Sequence, residues 1–261
     1  MSKAEVKYLR SLSQKKVREK EGKFVLEGWR ALKEALNSGY KIDYVAVLPK
    51  FLEDGDYAKL LGEVRSRKIE VKEIGELELK AVSETVHSQG VLALVEERRF
   101  ELSLRTIAQA KVVVAADAVS DPGNLGSILR TCDWFGIDLV ILGKGCVELY
   151  NEKVVRSTVG SIFHLQVLEG VDLIEALPQM RSWGFSIVAL SGDAKVSYDE
   201  HKFAEKSVLV VGSEAHGLSK QVRSVVDASV KIPKFGHAES LNVGVACGIV
   251  LAHLKNSLRL D

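Results

Sequence analysis

The chain has 261 residues, of which 46% are hydrophobic and 27% are charged. This length suffices for two compact domains, and the composition is that of a folded protein, which excludes a largely disordered chain. Because 36 Lys and Arg residues face 35 Asp and Glu residues, the formal net charge is only +1. The net charge alone gives no reason to expect a nucleic-acid partner.

The charge is distributed unevenly along the chain. Residues 1–23 contain eight Lys or Arg residues and three Glu residues, so this arm carries +5 and the remainder −4. A basic arm on a mildly acidic body fits an anionic partner, although a solvated amphipathic helix explains the same charges.

Cysteine usage and hydropathy restrict the cellular setting. Cys132, Cys146 and Cys247 are far apart and lack metal-ligand spacing, which argues against a disulfide framework and against a zinc site. The N-terminus has no apolar signal-peptide core, and no uncharged run is long enough to span a membrane. We therefore expect a cytoplasmic protein without a membrane or metal partner.

The first part of the chain reads as a small α/β unit. The polar stretch up to about residue 23 is helical in pattern, and apolar runs alternate with helical spacings after it. We predict strands at residues 24–28, 44–48, 69–71 and 90–95, and helices at 29–36 and 56–67. Four consecutive charges at 96–99 indicate a linker, so we assign residues 1–97 and 98–261 to two domains.

The second part alternates strands with helices. We predict strands at 112–116, 138–142, 163–168, 186–190, 207–211 and 229–232, and helices at 125–135, 151–158, 172–182 and 240–257. This alternation predicts an α/β domain with a mainly parallel sheet that is covered on both faces. Ligands bind such sheets at the carboxyl ends of the strands, so the loops there are the first candidates for a site.

Three of these loops contain polar residues suited to a site. They supply Asn124 and Arg130 after strand 112–116, Glu214 after strand 207–211, and Ser240 and Asn242 after strand 229–232. Each loop by itself is also explained by a turn and a helix cap. The common alternatives fail, because the chain has no G-x-G-x-x-G or phosphate-loop pattern after a strand, no G-x-S-x-G and no HExxH.

In combination and in this order, the three loops resemble the SpoU (TrmH-like) family of SPOUT methyltransferases. The resemblance covers residues 108–257 and rests on Asn124-x-Gly126-Ser127-x-x-Arg130, Gly212-Ser213-Glu214-x-x-Gly217-Leu218-Ser219, and Ile232-Pro233 leading to Ser240-Leu241-Asn242-Val243. Residues 10–95, with Lys15-Lys16-x-Arg18 and Gly22-Lys23-Phe24, resemble the small L30e-like substrate-binding domain of the family's rRNA-modifying members.

The resemblance implies a fold, a reaction and a site. The C-terminal SPOUT domain would hold a parallel sheet and a deep trefoil knot, and the protein would act as a homodimer. It would transfer a methyl group from S-adenosylmethionine to a ribose 2′-hydroxyl of RNA. The implied residues are Arg130, Asn124, Glu214, Ser240 and Asn242 for catalysis, Leu190, Gly212, Ile232 and Leu241 for the cofactor, and Lys15, Lys16, Arg18 and Lys23 for RNA.

Several alternatives stay open at this point. The L30e-like unit favours 23S (large-subunit) rRNA as the substrate, and the nearest alternative is a tRNA ribose 2′-O-methyltransferase of the same family. An RNA-binding or assembly factor that has lost activity is a second alternative, although the polar residues of all three loops are present. A nucleotide-binding α/β protein unrelated to RNA is disfavoured, because phosphate-loop motifs are missing.

Overall fold

The computed structural model describes residues 1–53, 55–83, 88–107, 109–213 and 216–258. By its internal contacts the chain divides into two units: residues 1–98 with 150–164, and residues 99–149 with 165–261. The domain boundary predicted after residue 97 lies beside the first junction. The sequence had assigned residues 150–164 to the second domain. In the structure they group with the first unit instead.

The first unit is built on a four-stranded sheet. Its strands are β1 (Lys23–Glu27), β2 (Ile42–Val47), β3 (Glu70–Glu73) and β4 (Val91–Glu96), in the order β1-β4-β2-β3. β4 pairs antiparallel with β1 and β2, and β2 pairs parallel with β3. The helices of this part are α1 (Lys3–Ser11), α2 (Lys15–Glu21), α3 (Trp29–Asn37), α4 (Gly55–Ser66) and α5 (Glu76–Val82).

The N-terminal arm forms two helices where the sequence suggested one helical stretch. Ser2 and Glu5 form a capping box that starts α1, and Leu9 and Leu12 are buried in the core of the first unit. Leu12 packs in that core directly after α1, and the chain turns at residues 12–14 before α2 begins. α2 ends at Glu21 and is followed by Gly22, whose φ of 62° is left-handed and leads the chain into β1.

The second unit contains a seven-stranded parallel sheet. Its strands are β5 (Val112–Asp117), β6 (Leu139–Gly143), β7 (Val167–Val171), β8 (Ser186–Leu190), β9 (Val196–Ser197), β10 (Ser207–Gly212) and β11 (Ala228–Lys231), in the order β7-β6-β5-β10-β8-β11-β9. The remaining helices of the chain are α6 (Leu104–Ile107), α7 (Pro122–Trp134), α8 (Glu152–Thr158), α9 (Leu173–Ser182), α10 (Lys220–Arg223) and α11 (Val243–Ser257), and α8 belongs to the first unit.

The centre of this sheet is fully buried. Every residue of β5, β6 and β10 is buried, which is expected of parallel strands covered on both faces. The predicted α/β class with a parallel sheet is confirmed. Within the described ranges, no helix is both long and apolar enough to cross a bilayer.

The segment 150–164 is attached to the first unit by aromatic contacts. The rings of Phe24 and Tyr150 stack with centroids 4.6 Å apart, and Tyr40 meets Phe163 edge-on at 4.9 Å. The Tyr150 hydroxyl also donates to the carbonyl of Arg98 at 2.8 Å. The strand predicted at 163–168 is therefore displaced: Ser161–Phe163 form a 3₁₀ turn in this segment, and β7 begins only at Val167.

Candidate active site

The loops that follow β8, β10 and β11 line one cavity of about 470 Å³ in the second unit. Leu190, Gly212, Ile232 and Leu241, which the sequence predicted as cofactor contacts, all line this cavity. The cavity lies at the carboxyl ends of parallel strands, and its volume is typical of small-molecule sites, which span about 300–1,000 Å³. The four residues therefore share one place suited to a cofactor.

Gly212 is required by the close approach of the loop that follows β10. A Cβ atom at this position would lie 2.3 Å from the carbonyl carbon of Gly217. Ser213 and Gly217 exchange backbone hydrogen bonds of 3.0 and 2.8 Å, which fold the loop back over the strand end. Glu214 lies outside the described residues, so its role stays a prediction.

The first and third loops meet through two asparagines. Asp121 caps α7, because its Oδ1 accepts a hydrogen bond from the backbone N of Asn124 at 2.8 Å. Asn242 caps α11, because its Oδ1 accepts from Gly244 N at 2.9 Å and from Val245 N at 3.3 Å. Its Nδ2 donates to Asn124 Oδ1 at 2.6 Å, and this bond joins the N-terminal ends of the two helices.

The other two described catalytic candidates line different surfaces. Ser240 lines the cavity, whereas Arg130 is exposed on α7 and lines a neighbouring groove together with Gly244 and Val245. Within the described part of the chain, Arg130 has no hydrogen-bond or ion-pair partner, so its guanidinium is available for an anion. A Cβ on Gly244 would lie 3.0 Å from Ser127 Cβ, so α7 and α11 pack too closely there for a larger residue to fit easily.

An ion pair that the sequence did not indicate lies at the cavity wall. Arg223 Nη1 donates to both carboxylate oxygens of Asp193, at 2.7 and 3.0 Å, and the Ser191 hydroxyl donates to the same carboxylate. The hydrogen bonds from Ser191 and Arg223 lower the pKa of Asp193. The available signal was position, because Asp193 follows the end of β8 at the carboxyl edge of the sheet.

The predicted RNA contacts separate into exposed and engaged residues. Lys15 and Lys16 are exposed, and Lys15 Nζ lies 3.7 Å from the Glu19 carboxylate. Arg18 is only 2% exposed, and its Nη1 donates to the carbonyls of Leu12 and Ser13 at 2.6 and 2.7 Å. The assignment of Arg18 as a direct RNA contact is therefore corrected, because its charge closes the turn after α1.

Lys23 is also engaged within the fold. Its Nζ lies 2.5 Å from Asp43 Oδ2, and this hydrogen bond raises the pKa of Lys23. An RNA phosphate would have to compete with the Asp43 carboxylate for this ammonium group. Among the described residues, no cluster of His, Cys, Asp and Glu has the geometry of a metal site.

A parallel α/β sheet with a ligand-sized cavity at its carboxyl edge defines a small-molecule-binding α/β domain. Residues 111–252 match the model of the SpoU rRNA Methylase family, and residues 3–93 match that of the MRM3-like substrate binding domain. The first match spans more than half of the chain, so the chain belongs to the SpoU rRNA methylase family. The family predicted from the three loops is confirmed.

Individual relatives match over nearly the full length. The chain is 32% identical over 255 residues to the 23S rRNA (guanosine(2553)-2′-O)-methyltransferase RlmP of Bacillus subtilis, covering 96% of this chain and 95% of the relative. The AdoMet-bound rRNA methyltransferase of Sinorhizobium meliloti has a similar structure, with a TM-score of 0.86 and 29% identity over 98% and 95% of the two chains. The SpoU methyltransferase AviRb of Streptomyces viridochromogenes shares the fold at 24% identity, with a TM-score of 0.86 over 99% and 100% of the chains.

Proposed function

We propose that this chain transfers the methyl group of S-adenosylmethionine to a ribose 2′-hydroxyl of RNA, and that its substrate is 23S (large-subunit) rRNA. The observation that carries this proposal is the single cavity shared by Leu190, Gly212, Ile232 and Leu241, in a chain of the SpoU family. The near full-length similarity to RlmP supports a large-subunit substrate. A cytoplasmic location is part of the same proposal.

The cavity wall fits the cofactor. Leu190, Ile232 and Leu241 would offer apolar surface to the adenine ring and to the carbons beside the sulfonium sulfur, and the strand ends and the Ser240 hydroxyl would offer polar groups. S-adenosylmethionine, when bound, supplies an electrophilic methyl group on a sulfonium sulfur. The chain has to hold the acceptor ribose in line with that methyl group, and such positioning contributes up to about 7–11 kcal/mol in favourable cases.

Arg130 is proposed to act on the acceptor nucleotide. A guanidinium is always protonated in proteins, so it does not serve as the base. Instead it clamps a phosphate next to the acceptor ribose with two parallel hydrogen bonds and stabilises the developing alkoxide. The 2′-hydroxyl proton passes to a phosphate oxygen or to a water molecule, while the new O–CH₃ bond forms and the S–CH₃ bond breaks.

The enzyme assay tests the reaction and its substrate together. Purified protein is incubated with labelled S-adenosylmethionine and with large-subunit rRNA, small-subunit rRNA or total tRNA, and the methylated ribose is mapped. Label on large-subunit rRNA is expected, whereas label on tRNA would favour the tRNA enzyme and no label would favour an RNA-binding factor.

Two Arg130 variants test the clamp. Arg130→Lys keeps the charge but loses the paired geometry, so we expect activity close to that of Arg130→Ala. Arg105, a second exposed arginine of the second unit, is the matched control, and Arg105→Ala is expected to stay active. Activity of Arg130→Lys near the wild-type value would refute the clamp.

We further propose that the protein is a homodimer that pairs through the groove between α7 and α11. Trp134 is 84% exposed and Val245 is 53% exposed on this face. Exposed apolar side chains that lie together in one groove are typical of a protein–protein contact. Because Arg130 lines the same groove, a second copy would lie next to the site and complete it.

Sedimentation analysis checks the proposed interface. Trp134→Lys is expected to give monomers and to reduce methylation, because it places a charge in the contact. Leu77, which is 83% exposed in the first unit, provides the control, and Leu77→Lys is expected to leave the dimer intact. A dimer that survives Trp134→Lys would rule out this interface.

The first unit is proposed to dock structured RNA through the exposed cations of α1 and α2. The arm cannot be removed for a test, because Leu9 and Leu12 belong to the core of the unit. A Lys15→Gln/Lys16→Gln double variant is used instead, with Lys59→Gln/Lys202→Gln as the control of equal charge. Losing two phosphate contacts should reduce the slope of log affinity against log salt by about 1.4–1.8.

A further inference from the structure

Phe235 is an unusually exposed aromatic residue at the wall of the cofactor cavity. It follows β11 in the loop that leads to α11, and 96% of its surface is accessible. A single exposed apolar side chain is ordinary, so Phe235 is of interest for its position at the cavity wall and for the charged residues beside it.

The surroundings of Phe235 are polar and open. Lys234 and His237 flank it, and both are exposed. Apart from its two chain neighbours, a Cβ added at the adjacent Gly236 would meet nothing within 4 Å, so the loop is open at this point. An aromatic face with a cation beside it is the arrangement that binds unpaired nucleotides, because the ring stacks on a base and the cation meets a phosphate.

The Phe235 ring is not the main source of apolar surface in the cavity. Leu190, Ile232 and Leu241 already supply apolar surface for the cofactor, whereas Phe235 presents nearly all of its surface to solvent. A ring that closed over the cofactor would be expected to be partly covered by the cavity wall. Because Phe235 lines the cavity and yet is almost fully exposed, its ring suits a ligand that extends beyond the cavity, as the RNA substrate does.

We propose that Phe235 is the stacking platform for the base of the nucleotide whose ribose is methylated. This inference rests on the proposed RNA methyl transfer. The acceptor 2′-hydroxyl has to reach the cofactor cavity, and the base attached to the same ribose is thereby brought to the cavity rim. Stacking there holds the nucleotide unpaired and fixes the rotation of its ribose. Phe235 is in this sense a positioning residue for the substrate.

Variants at position 235 separate stacking from simple apolar contact. Phe235→Ala is expected to raise the KM for RNA by about 5- to 150-fold, which is the range of base–aromatic stacking. Phe235→Trp keeps an aromatic face and should stay within about threefold of the wild type. Phe235→Leu keeps an apolar side chain without an aromatic face and should resemble Phe235→Ala. The dissociation constant of S-adenosylmethionine, measured by calorimetry, should stay within about twofold in all three.

A modified substrate tests which base is stacked. Wild-type protein first establishes methylation and the target nucleotide; if it methylates no RNA, the proposed function fails, and the platform with it. If methylation is present, an RNA with an abasic ribose at the target should raise the wild-type KM, and Phe235→Ala should add nothing further on that substrate. The stacking proposal is contradicted if Phe235→Leu keeps full activity or if the two changes have additive effects on the abasic RNA. It is equally contradicted if Phe235→Ala weakens cofactor affinity or changes the oligomeric state.

Discussion

The Asn124–Asn242 pair makes a quantitative prediction about stability. The Asn242 side chain does two separable things: its Oδ1 caps α11, and its Nδ2 donates to Asn124 Oδ1 at 2.6 Å. Loss of an N-cap costs about 1 kcal/mol, and loss of one hydrogen bond costs about 0.5–1.5 kcal/mol. Asn242→Ala loses both, so we expect the free energy of unfolding to fall by about 2 kcal/mol.

Serine at position 242 separates the two contributions. Asn242→Ser keeps a capping oxygen but is too short to reach Asn124, so only the second contribution, about 1 kcal/mol, is lost. In thermal unfolding followed by circular dichroism, Asn242→Ala should lower Tm by about 4–8 °C and Asn242→Ser by about 2–4 °C.

A double-mutant cycle isolates the bond between the two loops. Asn124→Ala removes the same hydrogen bond from its other end, so the Asn124→Ala/Asn242→Ser double variant should cost about 1 kcal/mol less than the sum of the single variants. Additive effects within about 0.3 kcal/mol would show that the asparagines do not hold α7 and α11 together. An Asn242→Ser variant as unstable as Asn242→Ala would contradict the capping role.

Three further predictions concern other parts of the chain. Arg18→Ala, which removes two hydrogen bonds to backbone carbonyls, should destabilise the first unit by about 1–3 kcal/mol in chemical denaturation, whereas a purely RNA-binding residue would leave stability unchanged. Gly212→Ala places a Cβ 2.3 Å from the Gly217 backbone and should abolish cofactor binding in calorimetry, while Gly62→Ala in α4, with nothing within 4 Å and away from the cavity, should bind normally. The hydrogen bonds from Lys72 and Ser2 lower the pKa of Glu5 from 4.5 to about 2. The ionised Glu5 carboxylate therefore stabilises the fold fully above pH 4.5, and this stabilisation is lost as the pH falls towards 2. A Glu5→Gln variant should show a flatter dependence of Tm on pH in this window.

The sequence predicts those parts of the site that depend on local chemistry. Positions after strand ends, glycine-flanked turns and capping residues are visible in the sequence, whereas the assignment of Leu190, Gly212, Ile232 and Leu241 to the cofactor was implied by the resemblance to the SpoU family. The contact between Asn124 and Asn242 was not predicted, because it depends on the long-range order of the strands. The implied trefoil knot stays a prediction.

Residues whose role depends on their three-dimensional partners were less predictable. Arg18 looks like any other cation of the arm, and only the buried turn at Leu12 shows where its guanidinium goes. The Asp193–Arg223 pair joins residues thirty positions apart, so neither is conspicuous in the sequence. Strand β9 contains only two residues, too few for an alternating pattern to be recognised.

The attachment of residues 150–164 to the first unit has a consequence for synthesis. The ribosome makes residues 1–98 first, yet Tyr150 and Phe163, which cover Phe24 and Tyr40, emerge only after β5 and β6 have been made. The nascent first unit therefore exposes aromatic surface for the time needed to translate about 50–65 further residues, which at about 5–20 residues per second is several seconds. During this interval the chain is a natural client for chaperones, and a fragment that ends at residue 98 would retain the same exposed surface.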